Sequence, residues 1–449
     1  MKDVIRIGNG QGFWGDSIDA PVNLARGGSL DYLTLDYLAE VTLSIMQRQK
    51  LKNPESGYAQ DFIDLIRQIM PEINQNGLKV ITNAGGVNPH ACREKLFELS
   101  KISGNKIKIG VIEGDDIYPN LQKLRDKGVT FNNMDTGRSF NDIADKVYSA
   151  NVYINSFPIS EALEKGAQLV LAGRVSDPGL ALGPCIYNYK WKEDDYNLLA
   201  AGTLAGHIIE CGAQCTGGNY SRWQDVKDMA NIGYPIMEMR PNGQFFITKH
   251  KNTGGLVTRE TIGEQALYEM GDPKNYISPD VCVDFTSFVI DDLGNNKVQI
   301  NGVLGSIPTE TYKVSISYFA GYKASGQITV SSPNAYEKAQ LTAEIIWKRL
   351  NNAGVYFEDT STEYLGLASS YGEINPIPSE SNEIVLRLGV KDQNKHKVNR
   401  FGMEIAPVIT SGPPGITGFS GGRPKAQEII AYWPALIPKH LIKTSVDVI

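Results

Sequence analysis

The chain has 449 residues, of which 41% are hydrophobic and 21% charged, and its net charge is −6. This length favours two domains, and the acidic balance argues against a nucleic-acid partner because phosphate binding leaves a basic footprint. No apolar run approaches the ~20 residues that span a bilayer. The start, MKDVIRIG, lacks a secretory signal, and five irregularly spaced cysteines fit reduced thiols. We therefore expect a cytoplasmic protein with no membrane segment.

Four apolar strands in the first part of the chain each run into a polar loop that carries glycine, and a helical pattern follows. The strands are predicted at residues 4–7, 78–81, 107–112 and 168–171. Short apolar runs that alternate with helical patterns predict a parallel sheet. Ligands bind to such sheets beyond the carboxyl ends of the strands. We therefore expect one shared crevice for the four loops, at residues 8–16, 82–89, 113–119 and 172–178.

Helical periodicity is found between these strands, and near residue 225 the sequence pattern changes from alternating strands and helices to mainly strands. Helices are predicted at residues 29–49, 62–69 and 195–211, and the last is rich in small residues, so we expect it to be deeply buried. The later part reads as strands with one clear amphipathic helix at residues 335–350. Its strands are predicted at residues 235–239, 244–248, 283–291, 297–304 and 311–330.

These patterns predict an α/β fold class, with an N-terminal, mostly parallel sheet flanked by helices and then an α+β second domain. The predicted boundaries are a Rossmann-like domain at residues 1–225 and a domain with a largely antiparallel sheet at residues 226–449.

Two glycine-bearing loops are candidates for binding an anion or a carbonyl oxygen. Gly10 and Gly12 belong to a formal G-x-G-x-x-G pattern, but no helix opens on its third glycine and no acidic residue ends the next strand, which argues against a dinucleotide. Asn83, Gly85 and Gly86 can present backbone N–H groups at another strand end. The alternatives are a tight turn in the first loop and a simple helix cap after the second.

Two further loops carry charged candidates. Asp115 lies in a run of carboxylates, which can divide acid and base roles in one cleft; a plain helix cap is the alternative. Arg174 offers a planar fork for a carboxylate or phosphate. Asp177 is a candidate for either a helix cap or a catalytic group. Lys251 lies in KNTGG before a predicted helix, a setting that suits a phosphate, although the P-loop pattern is missing.

His207 and Glu210 lie three residues apart on the small-residue helix and therefore share one face. An imidazole oriented by a carboxylate is a usual general base. The alternative is a satisfied structural histidine. We expect no metal, because no complete ligand set is evident.

Several segments together resemble the acyclic terpene utilization family of AtuA type, over roughly residues 4–440. They are IGNGQGFWGDS, AGRVSDPGLALGP, AAGTLAGHIIECGAQCTGGNY and KNTGGLVT. The resemblance implies gene-cluster company with acyl-CoA carboxylases, enoyl-CoA hydratases and acyl-CoA dehydrogenases. Longer members continue into a C-terminal ferredoxin-like domain of about 100 residues. For this chain we expect that module to be either a separate small subunit or absent.

The resemblance and the loops together predict an enzyme that acts on a branched acyl-CoA or carboxylic acid by hydration, dehydration or C–C cleavage. His207 with Glu210 would be the acid and base, supported by Asp115 or Asp177. We expect no cofactor beyond the CoA part of the substrate, and a homo-oligomer. The alternatives are a non-catalytic subunit that binds acyl-CoA or scaffolds an assembly, and a thioester or amide hydrolase.

Overall fold

The computed structural model describes residues 2–38, 40–104, 106–367, 369–370, 381–418 and 421–449. The chain forms two compact units. The first unit comprises Met1–Ser317 and Tyr432–Ile449, and the second unit comprises Tyr318–Ala431. In chain order, the second unit is therefore inserted between two parts of the first.

The first part of the first unit alternates strands with helices. Its elements are β1 (Ile5–Gln11), α1 (Ala20–Gly27), β2 (Tyr32–Leu35), α2 (Glu40–Lys52), α3 (Asp61–Gln75), β3 (Lys79–Thr82), α4 (Pro89–Ser103), β4 (Ile109–Glu113), α5 (Leu121–Asp126), β5 (Val147–Val152), α6 (Phe157–Glu164), β6 (Leu169–Leu171), α7 (Gly179–Tyr189) and α8 (Tyr196–Glu210).

The remaining elements are mainly strands. They are β7 (Pro235–Met239), β8 (Phe245–Lys249), α9 (Arg259–Ala266), β9 (Tyr276–Ile277), β10 (Cys282–Asp284), β11 (Val289–Asp292), β12 (Val298–Asn301), β13 (Leu304–Ser306), β14 (Thr311–Ser331), α10 (Ala335–Asn352), β15 (Asp359–Leu365), β16 (Glu383–Asp392), α11 (Lys395–Ile405), α12 (Val408–Ser411), β17 (Gln427–Pro438) and β18 (Ser445–Val448). No helix in the described segments is long and apolar enough to cross a bilayer.

Among the described residues, the main sheet of the first unit has ten strands in the order β11-β12-β8-β7-β1-β2-β3-β6-β4-β18. The central strands β1, β2, β3, β6 and β4 are parallel, and the strands outside them are antiparallel to their neighbours. The parallel strands are short, apolar and almost wholly buried, because helices cover both faces of such a sheet. The predicted fold class is therefore confirmed.

A second, antiparallel sheet has the strand order β15-β16-β14-β17. In the second unit, alternate residues of β16 from Ile384 to Val390 are buried with the apolar faces of α10 and α11. The residues between them lie on the opposite face. This alternation with a period of two residues is typical of a strand with one covered face. The strand predicted at 311–330 and the helix predicted at 335–350 are confirmed by β14 and α10.

The predicted helix at residues 29–49 is wrong in its first half. Residues Tyr32–Leu35 form β2, which pairs with β1 and β3, and α2 begins only at Glu40. The run Tyr-Leu-Thr-Leu is buried at every position. Because a fully buried strand shows no alternation, periodicity alone does not distinguish it from a buried helix.

The predicted domain boundary near residue 225 also differs from the division into compact units. β7 adds to β1 of the main sheet, with Ile5 opposite Met239 and Gly8 opposite Ile236, and β8 pairs with β7. The predicted second domain thus contributes strands to the first unit. The parallel order β1-β2-β3-β6-β4 also differs from the Rossmann order 3-2-1-4-5-6, so the strand order does not support the Rossmann-like prediction.

Candidate active site at the carboxyl edge of the parallel strands

The parallel strands end at one edge of the main sheet, and hydrogen bonds join the residues that follow neighbouring strands. Asn83, after β3, donates from Nδ2 to Asp36, after β2, at 2.7 Å. The Asn83 side-chain oxygen accepts from the backbone N–H of Tyr37, also at 2.7 Å. Arg174, after β6, donates its backbone N–H to Asp115, after β4, at 2.8 Å. The structure therefore brings Asn83, Asp115 and Arg174 to one edge.

Arg174 ties the middle of this edge together. Its Nη1 donates to the carbonyl of Leu38 at 3.0 Å and to Asp177 at 2.5 Å, and its guanidinium carbon lies 4.1 Å from the centre of the Tyr153 ring. Burial opposes the charge, but Asp177, Tyr153 and Asp36 hold the pKa of Arg174 well above its ordinary value. Arg174 is thus already paired within the protein, whereas the sequence predicts it to pair with a ligand.

Asp36 is a buried carboxylate that the sequence analysis misses. Its Oδ1 accepts hydrogen bonds from Asn83 and from the backbone N–H of Leu38 at 2.9 Å. Burial raises the pKa of Asp36 to about 7, with repulsion from Asp177 adding to the rise and Arg174 opposing it. Asp36 can therefore hold or release a proton near neutral pH.

Helix α8 is buried from Leu199 onward and ends at this edge. Asn9 of β1 fixes that end, because its Nδ2 donates to the carbonyl oxygens of the last two helical residues, each at 2.8 Å. Gly206 allows close packing: a Cβ there would lie 2.5 Å from the carbonyl oxygen of Pro178. The prediction of a deeply buried, small-residue helix is confirmed.

The end of α8 carries the predicted acid–base pair. His207 Nδ1 and Glu210 Oε1 are 3.0 Å apart. The imidazole is 2% exposed, and its centre lies 5.4 Å from the ring centres of both Tyr276 and Phe285. Burial alone would lower the pKa of His207, but the carboxylates of Glu210 and Glu269 outweigh it, so the pKa is raised.

Buried polar atoms without a partner gather around this pair. In the described part of the chain, His207 Nε2, Glu210 Oε2 and both amide atoms of Gln265 lack a hydrogen-bond partner. The carbonyl of Ala266 contributes to the raised pKa of His207 but makes no hydrogen bond of normal geometry. Gln265 also lines a cavity of about 120 Å³, whose lining includes neither His207 nor Glu210. Each unpaired buried polar group costs about 1–3 kcal/mol, so this group is suited to a ligand with polar atoms.

Four carboxylates from distant parts of the sequence act on one another here, and we call them the carboxylate cluster: Asp36, Asp177, Glu210 and Glu269. The pKa of Glu210 is raised to about 7. Burial is the largest cause, His207 opposes the rise, and Asp177 and Glu269 add to it. Asp177 likewise raises the pKa of Asp36. Neighbouring carboxylates separate in pKa because their negative charges repel. Asp36 and Glu210 can therefore both donate and accept protons near pH 7.

The glycine loops serve packing more than ligand binding. A Cβ at Gly10 would lie 2.7 Å from Pro21 of α1, and one at Gly12 would lie 2.9 Å from the backbone of Cys211. The N–H of Gly12 donates to Asp16 at 3.0 Å. Gly10 also lies inside β1, not in the loop after it.

The second loop behaves similarly. Gly85 packs against Pro89, and the N–H of Gly86, whose φ is +53°, donates to the carbonyl of Asn83 at 3.0 Å. The amides of Gly12 and Gly86 are therefore occupied by the protein itself, which corrects their predicted role as free donors to an anion.

Asp115 and Lys251 stand apart from the acid–base pair. The Asp115 carboxylate accepts from Asn151 at 2.9 Å as well as from Arg174, and burial raises its pKa to about 6. It holds the residues after β6 in place. Lys251 is exposed in the turn after β8. In the described residues no hydrogen bond or ion pair joins either residue to His207 or Glu210.

The residues that the sequence analysis misses are Asp36, Asn9, Gln265 and Glu269. A sequence pattern could have predicted Asp36, because it directly follows the apolar run Tyr32–Leu35, just as the other site residues follow their strands. Asn9 lies between Gly8 and Gly10, and the glycine pattern there indicates a loop and not a side chain that binds. Gln265 and Glu269 belong to a helix and turn whose position beside α8 no local pattern encodes. Across the described segments, no three side chains of the metal-binding types converge on a metal site.

The fold and the site define a mixed α/β protein with a buried histidine in contact with a carboxylate cluster at the edge of its parallel strands. The family described as acyclic terpene utilisation family protein AtuA matches residues 5–448. The chain belongs to this family, which gives it a role in acyclic terpene utilisation. Neither a curated protein nor a solved structure matched the chain significantly.

Proposed function

We propose that this chain is an enzyme that adds water to, or removes water from, a branched acyl-CoA or a related carboxylic acid in acyclic terpene breakdown. His207 and Glu210 are the acid–base pair of this reaction, and the carboxylate cluster supplies the second proton carrier. C–C cleavage is part of the same proposal: His207 would take the proton of a 3-hydroxyl group, the bond between C2 and C3 would break to leave a carbonyl and an enolate, and a protonated carboxyl of the cluster would give its proton to the enolate carbon.

One observation carries the proposal: the buried His207 is oriented by Glu210 through Nδ1 while its Nε2 has no hydrogen-bond partner in the described structure. A structural histidine in a buried site normally uses both ring nitrogens, because an unpaired one costs free energy. An oriented imidazole with one free nitrogen is the arrangement of a general base. The free nitrogen supports a substrate as the missing partner.

The chemistry follows from the two ends of the proton path. In dehydration, His207 Nε2 takes the proton from the carbon next to the carbonyl, and Glu210 stabilises the imidazolium that forms. A protonated carboxyl of the carboxylate cluster, such as Asp36 with its pKa of about 7, gives its proton to the departing hydroxyl group, which leaves as water. Hydration is the reverse of these steps.

The substrate class is supported by the family, whose description names acyclic terpene utilisation. The breakdown of a branched, unsaturated carbon chain requires steps that move water across a double bond beside an activated carbonyl. The apolar walls given by Tyr276 and Phe285 around His207 suit the hydrocarbon part of such a substrate.

The test is turnover of methyl-branched 2-enoyl-CoA and 3-hydroxyacyl-CoA thioesters by the purified chain, followed as gain or loss of water by mass spectrometry. His207→Ala should lower kcat by about 10²–10⁴-fold, the usual contribution of a general base. His396→Ala, at an exposed histidine of α11, is the matched control and should leave kcat unchanged.

Other outcomes separate the alternatives. An unaltered kcat in His207→Ala would remove His207 from the mechanism. Release of free thiol without any change in hydration would indicate a thioester hydrolase. A chain that binds acyl-CoA but turns over none of the substrates would favour a non-catalytic subunit.

A further inference from the structure

The second unit contains a cleft of about 880 Å³. Four of the five charged side chains in its described lining are cationic, and they are Lys323, Lys391, Arg423 and Lys425. Asp359 is the carboxylate that faces them in that lining. No ion pair joins any of the four cations to another described residue. The cleft therefore concentrates positive charge that the described protein leaves largely unbalanced.

The sheet explains why two of these charges meet. Lys323 of β14 is paired directly with Lys391 of β16, which is paired in turn with Asp359 of β15. The neighbouring residues Ala324 and Val390 are buried in the core, so the two lysines project from the opposite, exposed face. Like charges directly opposite each other destabilise a sheet. Asp359 can balance only one of them, and a bound anion would balance the other.

The surroundings of the lysine pair are small and polar. The next row across the same three strands is Ser325, Gly389 and Ser361. A Cβ at Gly389 would lie 2.5 Å from Ser361 Oγ, so the Ser361 hydroxyl lies close beside the glycine. Serine hydroxyls can donate hydrogen bonds to an oxyanion. This row therefore leaves space and donors beside the two lysines.

A loop outside the sheet also lines the cleft and contributes Arg423 and Lys425. It contains Gly421 and Gly422, whose φ angles are +81° and +74°. L-amino acids with a side chain rarely adopt this backbone, whereas glycine does so readily. Arginine in particular binds phosphate oxygens through its planar fork. Cations thus approach the cleft from both the sheet and the loop.

We propose that this cleft binds the phosphate groups of a nucleotide-type small molecule, such as a diphosphate. Its volume lies within the range of about 300–1,000 Å³ that is usual for small-molecule sites. No aromatic residue is part of its described lining, so recognition rests on the phosphates and not on stacking of a base. The net charge of −6 disfavours a nucleic acid. This inference does not depend on the proposed acid–base reaction.

The test is isothermal titration calorimetry of the full chain with three probes: inorganic pyrophosphate, ADP and CoA. All three should bind, and added salt should weaken the binding because it screens exposed charges. Arg423→Glu and Lys391→Glu should each weaken binding by roughly tenfold to a hundredfold, the usual effect of losing a hydrogen bond to a charged group. Lys348→Glu, at an exposed position of α10 outside the cleft, is the control with the same change of charge.

The three probes distinguish the possible sources of the phosphate. Tighter binding of CoA than of ADP would support the phosphates of a coenzyme, and equal binding of all three would support recognition of the diphosphate alone. If Lys348→Glu weakened binding of the probes as much as Arg423→Glu and Lys391→Glu do, the proposed site would be overturned, since binding would then depend only on the overall charge of the protein. Binding of RNA without binding of the three probes would overturn it in favour of a nucleic acid.

Discussion

Asp36 and Glu210 make the stability of the protein depend on pH. Their pKa values are raised to about 7 in the folded chain, whereas both carboxyls titrate near pH 4 when unfolded. Between about pH 4 and pH 7 the folded state therefore binds more protons than the unfolded state. Stability must fall as the pH rises through this range. The raised pKa of His207 acts in the same direction, because its contribution is lost as the pH rises through the folded value.

Asp36→Asn tests this dependence. The amide oxygen can still accept from Asn83 and Leu38, but the ionisable group is gone. The free energy of unfolding of the unmodified chain should fall between pH 5 and pH 8 by on the order of 2 kcal/mol more than that of the variant. This value is discounted from the full effect of a shift of several pKa units. Urea unfolding at the two pH values measures it. Asp64→Asn, at an exposed position of α3, is the control, and the same pH slope in all three proteins would contradict the assignment.

Single residues show what the sequence can and cannot reveal about the site. His207 and Glu210 were predicted because their spacing of three places them on one helical face, and this local rule holds in the structure. The sequence predicts Arg174 as a site residue but not its interactions with Asp177 and Asp36, because these depend on tertiary contacts. The same limit applies to Gln265.

At the scale of a single element, α8 depends on glycine at its closest contact. Gly206→Ala would place a Cβ 2.5 Å from the carbonyl oxygen of Pro178, so the helix must shift. We expect a loss of about 1–3 kcal/mol in the free energy of unfolding, as for other overpacked positions. Because His207 is the next residue, kcat should fall as well if the proposed mechanism is correct.

Gly263→Ala is the matched variant, since it makes the same substitution in helix α9. A Cβ at Gly263 would meet open space. We expect this variant to be more stable by about 0.5–1 kcal/mol, the difference in helix propensity between alanine and glycine. Thermal and urea unfolding of the two variants measure both effects. Similar changes in both would show that the contact with Pro178 is unimportant.

The elements also show where periodicity suffices. α10 and β14 were predicted closely because each has one covered and one exposed face, so its period is visible in the sequence. β2 was misread because all four of its residues are buried. A pattern needs contrast between two faces, and the centre of a large sheet provides none.

At the scale of the whole molecule, the order of strands lies beyond sequence patterns. The sequence predicts the strands β4 and β6, but nothing in it shows that β6 lies between β3 and β4. Likewise, β7 reads as a hairpin strand, and only the structure shows that it pairs with β1 across more than half the chain. The predicted boundary near residue 225 differs from the division into compact units for this reason.

The last strand, β18, gives a test at this scale. It pairs with β4 along Ser445 to Val448, and Asp447 forms an ion pair with Arg93. Deletion of residues 445–449 should cost on the order of 3 kcal/mol, because it leaves β4 as an unpaired edge. Asp447→Asn should cost less, on the order of 1 kcal/mol, since Asp447 is half exposed and the amide oxygen can still accept from Arg93. Equal thermal stability of the deletion and the point variant would contradict a structural role for the strand.

The insertion of the second unit within the first has a consequence for synthesis on the ribosome. Residues Tyr318–Ala431 are contiguous, whereas the first unit needs Tyr432–Ile449, and its contact between Arg93 and Asp447 spans 354 positions. Contacts so distant in sequence form slowly. We therefore predict that the second unit, although made later, becomes resistant to protease before the first. Nascent chains stalled with residue 431 outside the ribosome should show a protected second unit and a cleavable first, and the opposite order would refute the prediction.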